Sequence, residues 1–244
     1  MQLDLLASIE LTVSAAIGIS VLAIGFGTDV RSRIRIAAGL ALWFVIVVAL
    51  AATEAIHYQH GLGVPGLGVA LMVPMFVLAF RVLRNPALRH GLESIPLSML
   101  VGVNAIRVFG AVFVVLHAAG RLPAPFAPVA GWGDIFIGLT AIPVAWLAYK
   151  KGVAAHSWVL IWNALGLVDL IAAVALGVTS SPGPLQLIYA EPGAGIMTTL
   201  PWLLIPGFLV PLLASTHLAV FYRLRAAGAF SGARRRAIAM GANE

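Results

Sequence analysis

Cysteine is absent from the chain, which excludes disulfide bonds, thiolate nucleophiles and cysteine-ligated metals. Charge is also scarce: only 10% of the 244 residues are charged, whereas soluble domains average about 25%. Hydrophobic residues make up 61% of the chain, and the mean hydropathy is +1.02. This composition excludes an ordinary water-soluble fold.

Apolar runs of about 20 residues recur along the chain, each long enough to cross a hydrocarbon core of ~30 Å as a helix. The alternating pattern of a membrane barrel does not appear. The sequence therefore predicts an all-α polytopic membrane protein, a single seven-helix bundle over residues 1–222 with a basic tail at 223–244. The predicted spans are 5–27, 36–58, 65–83, 96–118, 128–149, 157–177 and 200–222. The amino-terminal "MQLDLLASIELTV" carries acidic residues and no basic region, so we expect a retained span and not a cleaved signal peptide.

Thirteen of the 15 Lys and Arg residues fall at one set of span ends. Because basic residues accumulate on the cytoplasmic side, this predicts an outer amino terminus, a cytoplasmic carboxyl terminus and a bacterial cytoplasmic membrane. Topology then explains the net charge of +6; the expected partners are the bilayer and its anionic inner-leaflet lipids, not nucleic acid. The thirteen are Arg31, Arg33, Arg35, Arg81, Arg84, Arg89, Lys150, Lys151, Arg223, Arg225, Arg234, Arg235 and Arg236.

One arginine interrupts the apolar run "SMLVGVNAIRVFGAVFVVLH", residues 98–117. At 1.5 Å per residue, Arg107 would lie roughly 15 Å from the outer end of the fourth span. A guanidinium stays ionised in proteins, and an unpaired charge at this depth costs between ~3 and more than 10 kcal/mol. Arg107 therefore requires carboxylates or a wet cavity.

Two aspartates on the next two spans lie at similar depths, about 9 Å for Asp134 and about 12 Å for Asp169. We expect both to act as counter-ions of Arg107. Asn104 precedes Arg107 by three residues and shares its helix face, and Asn163 is a second candidate hydrogen-bond partner. Both aspartates follow a glycine in a G-x-x-D pattern, "GWGD" and "GLVD", and glycines allow helices to approach closely.

A second cluster, "TEAIHYQH" at residues 53–60, lies at the predicted outer end of the second span. On a continuous helix, Glu54, His57 and His60 would share a face, and His117 ends the fourth span on the same side. Imidazoles with a carboxylate are possible ligands of zinc, copper or haem iron. The alternative is a set of amphipathic side chains at the headgroup level. His217 is predicted near the inner end of the last span, without a role.

The sequence lacks the residues that several known activities of membrane proteins require. Both lysines lie in the loop at 150–151, so no lysine within a helix is left for a retinal Schiff base. No H-x-x-x-H pair, P-loop or serine–histidine pairing stands out, and the sequence favours a non-enzymatic protein.

The leading hypothesis is an outward-facing polar pocket around Arg107 that binds or moves a small solute or protons. The alternatives are a haem- or metal-dependent redox protein using the histidine cluster, and a non-catalytic subunit or assembly factor in which the buried charges form a packing clamp. Proline-containing segments are expected to supply flexibility, since proline interrupts the helical hydrogen-bond ladder. These prolines are Pro74, Pro143, Pro201, Pro206 and Pro211.

Overall fold

The computed structural model describes residues 2–241, with side chains described for residues 2–226. Every regular element in this part of the chain is helical. The predicted lipid contacts of Arg234, Arg235 and Arg236 lie outside the described side chains. The α-helices are α1 Gln2–Phe26, α2 Val30–Ala52, α3 Gly63–Arg84, α4 Pro86–Ser94, α5 Leu97–Gly102, α6 Ala111–Ala118, α7 Phe126–Lys151, α8 His156–Thr179 and α9 Val210–Gly241.

Within the described residues, six helical regions are long and apolar enough to cross a membrane. The longest of them contains both α7 and α8, which are separated by a short 3₁₀ turn, Gly152–Ala155. Large apolar side chains cover the outside of the bundle, as lipid contact requires: Phe76, Trp146 and Tyr149 are all more than half exposed. The expected all-α class, with several helices long and apolar enough to span a membrane, is confirmed for the described residues. The regions are Gln2–Phe26, Val30–Ala52, Gly63–Arg84, Leu97–Ala118, Phe126–Thr179 and Ile205–Ala226.

Helix starts at the ends of the bundle follow ordinary capping rules. Asp29 accepts a hydrogen bond from the Ser32 backbone N–H at 2.9 Å, forming a capping box that begins α2. These backbone donors hold the pKa of Asp29 below its usual value. Asn85 caps α4, and Pro86 occupies the first helical position. Both starts lie beside arginines at the end of the bundle predicted to be cytoplasmic.

Four predicted spans, the first, third, fifth and sixth, match the observed helices to within three residues at each end. The second prediction, 36–58, was wrong: α2 runs over Val30–Ala52. Its arginines lie on the helix, and Glu54 adopts a left-handed φ of 56° just beyond the helix end. The helix α3 continues through Pro74, where proline lacks the N–H that would complete the local hydrogen-bond ladder.

Two other spans are irregular in the middle of the bundle. Between α5 and α6 the chain forms a 3₁₀ helix, Val103–Gly110. The predicted span 200–222 begins instead with turns, followed by a single π-helical turn at Ile205–Leu209 that leads into α9. These departures from α-helix move side chains off the positions that a regular helix predicts.

One face of α7 packs against α5, the 3₁₀ helix, α6 and α8. A large apolar core surrounds the start of the last span, where Trp202 and Phe208 are fully buried. Trp43 packs on the Phe208 ring and donates a hydrogen bond to the Gly207 carbonyl. The core therefore fixes the 3₁₀ helix, α7, α8 and α9 around one interior region.

Candidate functional site

Arg107 projects into this interior from the 3₁₀ helix Val103–Gly110. In a 3₁₀ helix residues three apart eclipse one another, so Asn104, Arg107 and Gly110 form one row. The Arg107 side chain is 1% exposed. A permanently charged group is thus enclosed by protein and requires internal partners.

Two carboxylates from neighbouring helices neutralise this guanidinium. Nε of Arg107 donates to Oδ1 of Asp134 on α7 at 2.7 Å, and Nη2 donates to Oδ2 of Asp169 on α8. Both aspartate side chains are 15% exposed. The structure therefore contains the predicted pairing of Arg107 with both aspartates.

The remaining contacts of Arg107 come from its Nη1 nitrogen. It donates to the Gly166 carbonyl oxygen at 3.0 Å and lies 3.3 Å from Nε2 of His217. Four of the five N–H groups of the guanidinium are thus directed at protein acceptors. The site is a closed network that joins the 3₁₀ helix to α7, α8 and α9.

His217 belongs to this network, although the sequence analysis gave it no role. It is fully buried, and its position near the inner end of the span was predicted wrongly. The π turn at Ile205–Leu209 starts the last span later than expected, so His217 lies only about 18 Å from its beginning at 1.5 Å per residue. A histidine placed in the middle of a predicted span would have indicated that His217 belongs to the buried site.

Asn163 fixes the tautomer of His217. Its side-chain N–H donates to the His217 carbonyl at 3.1 Å, and its Oδ1 lies 2.8 Å from Nδ1 of His217. Nδ1 therefore carries the proton, because Oδ1 can only accept. Nε2 is left as an acceptor for the Arg107 N–H, and the imidazole is neutral.

Asn104 does not bond to Arg107. Its amide N–H groups donate to the Leu100 carbonyl at 3.0 Å and to the Thr216 hydroxyl at 3.2 Å. Its Oδ1 is buried without a hydrogen-bond partner among the described residues. Of the two predicted asparagines, Asn163 acts on the site through His217, whereas Asn104 lies one turn away.

This difference predicts unequal losses of stability for two matched substitutions. Asn163→Leu leaves the buried Nδ1–H of His217 unpaired and removes a second hydrogen bond to its carbonyl, and we expect it to lower the free energy of unfolding by about 1–3 kcal/mol. Asn104→Leu removes two hydrogen bonds together with a buried oxygen that lacks a partner, and the Thr216 hydroxyl keeps its bond to the Leu213 carbonyl, so we expect a smaller change of less than about 1 kcal/mol. Unfolding of the purified variants in detergent checks this, and equal losses would contradict the assigned network.

Glycines bring the helices close enough for these contacts. A Cβ on Gly133 would overlap Oδ1 of Asp169, one on Gly110 would overlap Asp134, and one on Gly166 would overlap the His217 ring. Each glycine lies on a different element of the network. The close approach expected from the glycines of "GWGD" and "GLVD" therefore serves to seat the charged side chains.

A cavity of about 40 Å³ adjoins Arg107 and Asp134. A water molecule requires at least about 10–15 Å³ of such space, so the cavity has room for two or three waters. Its polar lining consists of Arg107, Asp134, Glu10 and Ser14, and the other lining residues are apolar. Glu10 was not among the predicted site residues, because depth alone does not reveal which face of α1 is turned inward.

The predicted metal ligands are arranged differently. Since α2 ends at Ala52, the expected shared helix face of Glu54, His57 and His60 does not form. Nε2 of His60 lies 3.4 Å from Oε2 of Glu54, and the His57 and His60 rings stack with centroids 4.2 Å apart. Glu54 and His60 are exposed, and His57 is half-buried.

The fourth predicted ligand, His117, is engaged elsewhere. Its Nδ1 lies 3.0 Å from the Leu122 carbonyl oxygen. Among the described residues, no group of three or more His, Asp or Glu side chains is placed to hold a metal ion. The structure therefore does not bring the four predicted ligands to one point.

Fold and site together define an α-helical membrane protein with a charged network buried among its spans. A family model described as "Domain of unknown function (DUF8737)" matches residues 64–225, and the chain belongs to this family. The matched region contains Arg107, Asp134, Asp169 and His217, whereas Glu10 precedes it. No curated protein and no solved structure matches the chain significantly.

Proposed function

We propose that this protein is a seven-span bundle of a bacterial cytoplasmic membrane that takes up protons from the outer side at the Arg107–Asp134–Asp169 site. The observation that carries the proposal is the charge balance of the network. One guanidinium faces two carboxylates, and the neighbouring His217 is neutral by its hydrogen bonds. With both acids ionised the network has a net charge of −1.

A net charge buried between membrane spans is costly, and one bound proton would bring this network to zero. Oδ1 of Asp134 accepts from Arg107, so its Oδ2 remains to receive a proton. Asp134 also lines the cavity, through which water can reach it. Asp134 is therefore the proton acceptor that we favour, with Asp169 as the lasting counter-ion of Arg107.

A larger solute fits the site less well. The Arg107 guanidinium already directs four of its N–H groups at protein acceptors, so little of it is left for an anionic ligand. The cavity of about 40 Å³ holds waters and not a metabolite, since ligand pockets usually measure about 300–1,000 Å³. Of the two ligands considered for this site, a small solute and protons, these two features favour protons.

The proposed orientation follows from the alternation of the helices and from their basic ends. The turns at Gly27–Asp29 and Gly152–Ala155 and the short helix α4 lie beside arginines and lysines. Arg223 donates to the Leu92 carbonyl at 3.1 Å, which joins α9 to α4 near the end of the last apolar region, Ile205–Ala226. Seven crossings then place Glu10 and the cavity in the outer half.

Infrared difference spectroscopy tests the proposal on protein in lipid nanodiscs. As the pH falls, the wild type is expected to gain a C=O band from a buried protonated carboxylic acid. Asp134→Asn should lose this band and still fold, because the amide mimics the protonated acid and leaves Arg107 paired with Asp169. Glu54→Gln, which alters an exposed acid outside the site, is the matched control; an unchanged band in Asp134→Asn would refute the assignment.

A static packing clamp in a non-catalytic subunit is the second candidate. It is favoured by the near-complete burial of Arg107 and by the number of its internal contacts. A clamp keeps one protonation state, so it predicts no buried carboxylic acid band that changes with pH. The same titration therefore decides between the two functions.

A further inference from the structure

Glu10 on α1 provides a third carboxylate beside the network, in addition to Asp134 and Asp169. The buried face of α1 is formed by Ala7, Leu11, Ser14, Ala15, Gly18 and Leu22. At 100° per residue Glu10 lies at the edge of this stripe, where it is neither fully exposed nor fully buried. Its side chain lines the cavity that also borders Asp134.

The surroundings of Glu10 suit a group that gains and loses a proton. Its Oε1 accepts a hydrogen bond from the buried Ser14 hydroxyl at 3.2 Å. Among the described residues, no cation lies within ion-pair distance of it. A carboxylate in a span without a counter-ion costs free energy while it is ionised, which distinguishes Glu10 from the paired Asp134.

The cavity connects these two acids. The charged or titratable groups that line it are Glu10, Arg107 and Asp134, and Asp169 and His217 lie behind Arg107. With room for two or three waters, it can hold a hydrogen-bonded chain between the Glu10 carboxyl and the free Oδ2 of Asp134. Apart from Ser14, the other lining residues are apolar.

We propose that Glu10 is the proton-exchange residue that delivers protons to Asp134, an inference that rests on the proposed function. The O–H bond of protonated Glu10 breaks and its proton passes to the adjoining water. An O–H bond then forms at Oδ2 of Asp134, and Glu10 is left as a carboxylate. Glu10 is reloaded from the outer side, and no electrons are exchanged.

A rapid pH jump on nanodisc-embedded protein, followed by the infrared band of protonated Asp134, tests this role. Glu10→Gln keeps the shape and the acceptor for Ser14 but cannot carry the proton. We expect the band to rise at least about tenfold more slowly and to reach the wild-type amplitude. Glu10→Asp should restore most of the rate, and Glu54→Gln, the matched control, should show the wild-type rate.

The outcomes distinguish the role proposed for Glu10 from the proton site proposed at Asp134. An unchanged rate in Glu10→Gln, with the band still lost in Asp134→Asn, would overturn the role of Glu10 and leave the proton site intact. A loss of amplitude in place of rate would also overturn it, because Glu10 would then be the titrating group itself. If Asp134→Asn retains the band, the proposed function fails first.

Discussion

Arg107→Leu is expected to lower the free energy of unfolding by about 3–5 kcal/mol, the usual effect of removing one partner from a buried ion pair. The substitution would leave the carboxylates of Asp134 and Asp169 facing each other without a cation, in side chains that are only 15% exposed. It would also remove the donor to Nε2 of His217. The repulsion between the two carboxylates and the loss of hydrogen-bond donors both lower the free energy of unfolding.

The matched control is Arg121→Leu. Arg121 donates to Oδ1 of Asp4 at 2.8 Å, but both side chains are about one-third exposed, and ion pairs of this kind contribute about 1 kcal/mol or less. Chemical unfolding of both variants in the same detergent gives the comparison. Equal losses would mean that the Arg107 guanidinium is solvated, contrary to its burial.

A triple variant identifies the cause of the loss. Arg107→Leu combined with Asp134→Leu and Asp169→Leu removes all three charges, and apolar replacement of a whole buried ion network is often neutral or stabilising. We expect it to be more stable than Arg107→Leu alone. If the triple variant is less stable, packing of the guanidinium, and not its charge, dominates.

Composition and depth were enough to predict the class of protein and the central ion pairs. Few charged residues and repeated apolar runs identify membrane spans, because hydrocarbon tolerates little else. The cost of an unpaired guanidinium then requires acids at matching depths, and only a few intramembrane acids exist in this chain. Arg107, Asp134 and Asp169 could therefore be grouped without knowing any helix rotation.

The missed residues depend on local backbone geometry that composition does not encode. His217 was predicted too close to the inner end of the last span, because turns and a π-helical turn replace the start of a regular helix there. The shared face of Glu54, His57 and His60 was expected on a helix that in fact ends at Ala52. The position of Glu10 depends on the rotation of α1, which is set by packing against α2, the 3₁₀ helix and other elements and cannot be obtained from depth.

Gly138→Ala is expected to destabilise the protein although alanine is normally the better helix former. Gly138 lies inside α7, where a change from glycine to alanine ordinarily stabilises by about 0.5–1 kcal/mol. A Cβ there would instead overlap the backbone nitrogen of Val108 and lie 2.9 Å from the carbonyl carbon of Arg107. Backbone atoms of a packed segment cannot rotate away, so α7 and the 3₁₀ helix must separate.

Overpacking of this kind costs about 1–3 kcal/mol, and we expect the upper end because the neighbour is backbone. Gly39→Ala in α2 is the matched control, since a Cβ there would meet nothing within 4 Å; it should be neutral or slightly stabilising. Both variants are compared by thermal unfolding in one detergent. The separation in Gly138→Ala would also move Arg107 away from Asp134, so the infrared band assigned to Asp134 should shift in this variant and not in Gly39→Ala. A stable Gly138→Ala with an unshifted band would contradict the close crossing that seats the site.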